Sequence, residues 1–293
     1  MYRTELWRLG LGIVRVFPRP LCAALCRAAA AGYWGLHRGR RQVVIQNLVP
    51  VLGGDLAAAR RTSRALFRQF ALKVADLWRV ESGASVEGWL RQWSGWEAFA
   101  AAQERGRGVL LITPHLGNWE LGGPLVARRG VKLLVVTQAE PDNRLTELRR
   151  ASRSRWGIET VVVGEDAFAF IEIIKRLQAG AVVAMLIDRP PPPSAVTVEF
   201  CGRPFRASIA AAELARASGC ALVGVYVPRL ETGYGAHILP EFAYDRAALG
   251  SREARRQLTE TILRAFEPVI RQHADQWYHF VPIWPSATPE HHA

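Results

Sequence analysis

The residues with the clearest potential for chemistry lie in the segment 109-VLLITPHLGNWELGG-123. Its apolar run predicts a buried strand ending at Thr113, which puts His115 at the carboxyl edge of a sheet, where open α/β sheets bind their ligands. Glu120 follows across a turn that Gly117 permits, so its carboxylate could reach back to the imidazole. A histidine oriented by a carboxylate can act as a general base.

Without a nucleophilic side chain beside it, such a base would act on a substrate that supplies its own nucleophile. No serine or cysteine lies beside His115, and the sequence contains no GxSxG nucleophile elbow. His115 is therefore expected to deprotonate a substrate hydroxyl, while backbone N–H groups of the turn serve the developing oxyanion. Asn118, a good helix N-cap, and Trp119 are expected to shape this site rather than react.

A second polar pair, Asp188 and Arg189, ends the hydrophobic strand predicted at 181–187, again at a carboxyl edge. Asp188 could orient His115 in place of Glu120 or alongside it. The alternative is that Asp188 only caps the end of its strand.

An arginine cluster follows on the helix predicted at 142–156. Guanidinium groups suit the phosphates of a lipid head group, of coenzyme A or of phosphopantetheine, and Arg153 and Arg155 are the favoured candidates. The alternative is a solvated helix face. The other members of the cluster are Arg144, Arg149 and Arg150.

Two further charged residues are candidates for contact with the acceptor. Glu199 and Arg203 flank the turn formed by the two residues after Phe200. The histidines His237, His273 and His279 have no partner spacing and are expected to be structural.

Positioning these residues requires a sheet, and the sequence from residue 106 onward predicts one. β-rich runs alternate with helical segments, which favours an α/β fold with a mostly parallel central sheet flanked by helices. Strands are predicted at 109–113, 132–137, 158–163, 181–187, 195–200, 221–227 and 236–239. Helices are predicted at 55–80, twice within 85–105, and at 118–129, 142–156, 166–178, 207–218 and 245–275.

The positive charge is concentrated at the front of the chain. The 293 residues carry a net charge of +12, and residues 1–61 contain ten arginines against two acids. An excess of this kind suggests an anionic partner. For a helix over residues 2–17, whose spacing reaches Arg19 unless Pro18 ends it first, arginines form a narrow stripe opposite an apolar face, which suits the boundary between lipid head groups and acyl chains. The stripe is Arg8, Arg15 and Arg19, and the face is Leu6, Leu9, Ile13, Val16 and Phe17.

These patterns divide the chain. Residues 1–54 are predicted to form a basic, amphipathic, helical membrane-associating segment, and residues 55–293 a single α/β domain. No run of 18 uncharged apolar residues occurs, so a conventional membrane span is not expected. The alternative for the front helix is packing on its own domain with an arginine edge in solvent.

The setting of the His-x4-Glu pair, PHLGNWE, resembles the signature of the lysophospholipid acyltransferase superfamily. More narrowly, it resembles the late (lauroyl/myristoyl-type) acyltransferases of lipid A synthesis and the mycobacterial phosphatidylinositol-mannoside acyltransferases. The similarity extends over most of the chain. Its other segments are RRQVVIQNL at 40–48, the arginines before Gly157, VVAMLIDR at 182–189, residues 196–229, and DQWYHF at 275–280.

The resemblance implies transfer of a fatty acyl group from acyl carrier protein or coenzyme A to a hydroxyl of a lipid or glycolipid, lipid A-like in lipopolysaccharide synthesis. It assigns His115 as general base and Glu120 as its partner. The implied place is the cytoplasmic face of the inner membrane, with peripheral or monotopic attachment to anionic lipid. The acyl thioester is a co-substrate, and neither a cofactor nor a metal is expected, since no Walker, HExxH or Gly-rich nucleotide motif occurs.

Two other functions stay open. The string LIDR at 186–189 is similar to a motif of glycerolipid acyltransferases of the lysophosphatidic acid type, although the region after residue 196 lacks their PEG-T-R-S phosphate-binding motif. The net charge would also permit a nucleic-acid-binding protein. No recognition-helix or aromatic-basic signature supports that second function, so no nucleic-acid partner is expected.

Overall fold

The computed structural model describes residues 4–164, 167–189 and 195–285. Its first part is helical, as predicted for residues 1–54. The long helix α4 packs against all three helices that precede it, and its N-cap Asp55 accepts a hydrogen bond from the N–H of Ala58. These helices are α1 (Thr4–Val16), α2 (Arg19–Leu36), α3 (Arg38–Val51) and α4 (Leu56–Glu81).

A seven-stranded sheet forms the body, in the order β1-β9-β8-β2-β5-β3-β4. Every neighbouring pair is parallel except β8 and β9, so the predicted mostly parallel sheet is confirmed. Its strands are β1 (Leu90–Ser94), β2 (Val109–Thr113), β3 (Leu133–Gln138), β4 (Glu159–Val163), β5 (Val182–Leu186), β8 (Ala221–Tyr226) and β9 (Tyr234–Glu241). A separate antiparallel hairpin consists of β6 (Ala195–Phe200) and β7 (Arg203–Ser208).

Helices cover both faces of the sheet because its central strands are apolar on both sides. All five residues of β2 are buried; Leu110 and Ile112 belong to one core, and Val109 and Leu111 to the other. The remaining helices are α5 (Trp96–Glu104), α6 (Trp119–Ala127), α7 (Asn143–Ser154), α8 (Ala167–Gln178), α9 (Ala210–Ser218) and α10 (Arg252–Gln272).

Two local predictions were wrong and one was incomplete. Residues 85–105 contain the two predicted short helices, a 3-10 helix at Glu87–Trp89 and α5, but the edge strand β1, specified by its pairing with β9, lies between them. Residues 207 and 208 complete β7 instead of opening a helix, since the turn residues Cys201 and Gly202 both have positive φ and return the chain as a hairpin. Helix α10 begins only after Ser251, whose hydroxyl caps it.

Helix α1 buries one mainly apolar face and exposes further apolar side chains on the other. Trp7, Gly10 and Val14 are buried, and a Cβ atom on Gly10 would come within 2.4 Å of the Trp78 indole. The apolar residues beyond this contact face outward. Exposed large apolar side chains on and after α1 are Leu6, Leu9, Val16, Phe17, Leu21, Leu25 and Leu36. None of the helices in the described ranges is long and apolar enough to cross a membrane.

Candidate functional site

His115 lies in a turn that other parts of the chain fix in place. Strand β2 ends at Thr113, and the turn reaches α6 through Gly117, which has φ 63°. A Cβ atom on Gly117 would lie 2.1 Å from the carbonyl oxygen of Val227, so this close approach requires glycine. The Gly117 N–H donates to the Gln276 oxygen at 2.9 Å, and the Tyr278 N–H donates to the His115 oxygen at 2.8 Å.

The carboxylate on the imidazole belongs to Asp188. Asp188 lies just beyond β5, the neighbour of β2, and its Oδ1 is 2.5 Å from His115 Nδ1. The His115 N–H also donates to Oδ2 at 2.9 Å. A carboxylate on Nδ1 favours the tautomer that carries its proton there, which leaves Nε2 as the basic ring nitrogen. The pair therefore has the geometry of an oriented general base.

Asp188 also binds two residues of the segment after α10. Trp277 Nε1 donates to Oδ2 at 2.9 Å, and His279 Nε2 lies 2.9 Å from the same oxygen. The segment is tied to the front of the chain by Asn47, whose Nδ2 donates to the His279 and Val281 oxygens at 3.0 and 2.8 Å. His279 is thus part of the site, although its sequence spacing gave no sign of a partner.

The charge state of Asp188 follows from these contacts. Burial alone would raise its pKa, but the neighbouring imidazoles of His115 and His279 and their hydrogen bonds outweigh that effect and hold the pKa well below its usual range. His115, Asp188 and His279 are also the described residues close enough together to hold a metal ion. Direct hydrogen bonds already account for this clustering, so we interpret the three residues as a proton-handling group.

Glu120 occupies a different place from the one expected for it. It lies in the first turn of α6 and faces α7, where its carboxylate accepts hydrogen bonds from Arg149 and, at 3.0 Å, from Arg153. Burial raises the pKa of Glu120, but the two guanidinium groups and Lys73 overcome this and lower it to about 2. The sequence expectation that Glu120 reaches back to the imidazole is corrected, because the helix that begins at Trp119 directs this side chain toward the arginines.

Asn118 and Trp119 lie next to His115. Asn118 is fully buried, and its Nδ2 donates to the hydroxyl of Tyr234 at 3.3 Å, which fixes the start of α6 against the sheet. The Trp119 ring meets the His115 imidazole edge to face, with 5.1 Å between the ring centroids. Both positions agree with a shaping role, which stays a prediction.

The remaining predicted site residues separate into two groups. Arg153 and Arg189 line cavities near His115, whereas Arg155 donates to the backbone oxygen of Glu81. Glu199 forms an ion pair with Arg264 of α10 at 3.1 Å and is largely exposed. Arg203 begins β7 at the surface. Neither Glu199 nor Arg203 is among the described residues that line these cavities, so the structure does not bring them to His115.

Two adjoining cavities meet beside the imidazole. The wider one, about 690 Å³, has a mixed lining that includes His115, Lys73, Arg149 and Arg189 as well as aromatic side chains. The narrower one, about 110 Å³, is almost entirely apolar and runs between the sheet and helices α5 and α6. Residues common to both linings are Trp119, Glu120, Val136, Thr137, Met185 and Leu186. A long apolar chain with a reactive polar end would fit this pair of cavities.

Comparison with known proteins finds acyltransferases that are similar to this chain. The family model described as "Bacterial lipid A biosynthesis acyltransferase" matches residues 3–286. A phosphatidylinositol mannoside acyltransferase of Mycobacterium tuberculosis is 26% identical over 260 residues, covering 87% of this chain and 80% of that protein. A protein of the same name from Mycolicibacterium smegmatis is 25% identical over 292 residues, covering 95% of this chain and 88% of its own length.

Proposed function

Because the chain belongs to the bacterial lipid A biosynthesis acyltransferase family, we propose that it moves a fatty acyl group from a thioester of acyl carrier protein or coenzyme A to a hydroxyl of a glycolipid. The observation that carries the proposal is the His115–Asp188 pair beside a wide cavity that adjoins a narrow apolar one. The names of the mycobacterial relatives support a glycolipid acceptor. A phosphatidylinositol mannoside or a lipid A precursor is therefore the acceptor class to test.

The reaction follows from the tautomer of His115. Nε2 removes the proton from the acceptor hydroxyl, and the oxygen attacks the thioester carbonyl carbon. The new C–O bond forms as the carbonyl π electrons move to oxygen, and collapse of this intermediate breaks the C–S bond. The leaving thiolate takes the proton from the imidazolium, while Asp188 stabilises the positive charge on the ring. No step requires a cofactor.

The cavities suggest where each substrate part binds. The apolar lining of the narrow cavity suits the acyl chain, which gains roughly 0.8 kcal/mol for each buried methylene group. The mixed lining of the wide cavity suits the thioester and the acceptor head group. Arg189 lines the wide cavity, where it can contact polar parts of these substrates, and Arg153, positioned by Glu120, lines the narrow one.

Membrane attachment through the front helices is part of the proposal. Seven of the eleven large apolar side chains that the described residues expose lie between Leu6 and Leu36, among exposed arginines. Buried apolar surface and basic charge together hold such helices in an anionic lipid interface, with about 1 kcal/mol for each arginine near the surface. The opposite side of α1 lines the wide cavity through Trp7, so a lipid acceptor could enter directly from the bilayer.

The test of the activity uses the full chain in phosphatidylglycerol-containing vesicles. Lauroyl to stearoyl thioesters of both carriers are combined with a phosphatidylinositol mannoside, a lipid A precursor and lysophosphatidic acid as acceptors. We expect transfer to a glycolipid that His115→Ala abolishes. Wild-type turnover by His115→Ala would contradict the mechanism, and transfer to lysophosphatidic acid alone would establish the glycerolipid alternative.

Membrane attachment is tested separately by vesicle sedimentation. Leu9→Ser is expected to weaken binding to anionic vesicles, whereas Leu56→Ser, at an exposed leucine on α4, is a matched control. Equal binding of both variants and the wild type would contradict an interfacial role for α1.

A further inference from the structure

The wide cavity contains a buried cation that the sequence patterns did not single out. Lys73 lies on α4 and is only 5% exposed. Its Nζ lies 3.0 Å from the centroid of the Trp119 ring, and the rings of Phe70 and Tyr278 lie at 5.8 and 5.5 Å. In the part of the chain that the structure describes, no carboxylate forms an ion pair with this ammonium. The lysine is therefore held in an aromatic cage, where the charge of Glu120 acts on it without a direct ion pair.

The guanidinium groups of Arg149 and Arg153 are already paired with carboxylates, whereas Arg189, which also lines the wide cavity, donates to the backbone oxygen of Tyr278. Glu120 takes both the Arg149 and the Arg153 guanidinium, and Arg149 also binds Glu140 at 2.7 Å. These pairs exist before any substrate binds, so a new negative charge gains less from them. An interaction raises the rate only when it is stronger in the transition state than in the resting complex. Lys73 meets that condition better than Arg149 or Arg153, because none of the described carboxylates forms an ion pair with it.

The placement of Lys73 also fits the reacting atoms. Lys73 and His115 line the same cavity and both contact Trp119, whose ring centroid is 3.0 Å from the ammonium and 5.1 Å from the centroid of the imidazole. A thioester carbonyl bound in this cavity beside Trp119 would lie near both the base and the ammonium. We propose that Lys73 is a further catalytic residue, whose ammonium stabilises the oxyanion that forms when the thioester carbonyl is attacked.

Burial disfavours the charged form of Lys73, so the ammonium is stabilised most when a negative charge forms beside it. Burial lowers the pKa of Lys73 well below its ordinary value, and the charge of Glu120 offsets only part of that effect. The lysine therefore lacks the solvation that it would have in water, and an anion that forms beside it replaces that solvation. Charges interact more strongly in such a site than in bulk solvent.

The chemistry at Lys73 involves no proton loss or new covalent bond. As the nucleophile oxygen bonds to carbon, the carbonyl π electrons move to oxygen, and the ammonium N–H donates to that oxygen. The donation ends when the carbonyl re-forms and the thiolate leaves. The inference rests on the proposed acyl transfer. Hydrolysis of the same thioester, with water as nucleophile, passes through the same kind of oxyanion.

The experiment compares Lys73→Met with the wild type in the full chain, using palmitoyl-coenzyme A and following thiol release with and without a phosphatidylinositol mannoside. We expect kcat to fall by about a hundredfold to a thousandfold for both transfer and hydrolysis, with KM nearly unchanged. Lys73→Gln keeps an N–H donor, so its kcat should lie between those of Lys73→Met and the wild type. Lys175→Met, at an exposed lysine of α8, is the matched control.

The outcomes separate the two proposals. A wild type that neither transfers nor hydrolyses any thioester contradicts the proposed function itself. An active wild type with Lys73→Met within threefold of its kcat contradicts only the role of Lys73, as does a loss confined to the KM of the acceptor. Thermal unfolding checks that each variant is folded. If Lys73→Met does not fold, the kcat of Lys73→Gln alone tests the role of Lys73.

Discussion

Replacing Asp188 with asparagine changes one atom of the site and should remove the base. Oδ2 accepts three hydrogen bonds, from the His115 N–H, Trp277 and His279, so the amide oxygen of the new side chain must take that position. The amide NH₂ then faces His115 Nδ1 and forces this nitrogen to accept. The ring proton moves to Nε2, where it blocks proton abstraction.

The size of the effect follows from this tautomer. An aspartate-to-asparagine change beside a catalytic histidine lowers kcat by about 10⁴, or roughly 5 kcal/mol in the barrier. The opposite orientation of the amide would place its NH₂ against three N–H donors, at a cost of about 1–3 kcal/mol for each group left unsatisfied.

The low pKa of Asp188 also affects the stability of the fold. The stability that the ionised carboxylate contributes is present above the unfolded pKa and is lost only as pH falls through the folded value.

Initial rates of thioester cleavage and transfer measure the change in kcat and KM, with Asp245→Asn as a matched control at an exposed aspartate. The double variant His115→Ala/Asp188→Asn should lose little beyond His115→Ala alone, because both changes disable the same base. A folded Asp188→Asn enzyme within tenfold of the wild-type kcat would show that another group orients His115.

Three further outcomes follow from single contacts. Burial raises the pKa of Glu81 to about 7, above its unfolded value, so the stability of the fold should fall as pH rises through 7. In thermal unfolding, Glu81→Gln should therefore stabilise the fold by up to roughly 3 kcal/mol at about pH 8.5 but not at about pH 5. Glu120, whose pKa is about 2, contributes stability that is present above about pH 4 and is lost toward pH 2. Urea unfolding of Glu120→Gln at pH 7 should show a loss of roughly 3 kcal/mol in the free energy of unfolding. A variant as stable as the wild type would contradict the ion-pair role of Glu120. Gly117→Ala should cost more stability and activity than Gly130→Ala, which has φ 78° but open space around it, because only the first meets the Val227 oxygen. Equal losses in the two variants would mean that the positive φ, and not the contact with Val227, causes the effect.

The parts of the site that the sequence could predict are those formed by residues close together in the chain. The apolar run before Thr113 predicts a strand, and Gly117 and the N-cap residue Asn118 predict the turn that presents His115. The partner of His115 was harder, because two carboxylates fit the pattern. Glu120 is five residues away but is turned aside by its helix, whereas Asp188 is brought in by the pairing of β5 with β2.

Residues outside motifs were missed for physical reasons that can be named. His279 lies 91 residues from Asp188, so no local spacing relates them. Lys73 did leave a signal: with Phe70 and Leu77 it lies at helical spacing on the buried face of α4, where a cation is out of place. Strand β1 had no such signal, since its residues are only partly buried and its state depends on β9.

The hydrogen bonds that join Asn47 to the segment after α10 have a consequence for biosynthesis. Asn47 and His279 are 232 residues apart, and Trp277 and His279 must both reach Asp188 before its oxygens are satisfied. These contacts cannot form until residue 279 has been synthesised, long after the helices of residues 1–54. Contacts of such long sequence separation form late, because loop-closure entropy must be overcome first. We therefore expect the hydrogen bonds on Asp188 to be complete only when the segment after α10 has packed against α3.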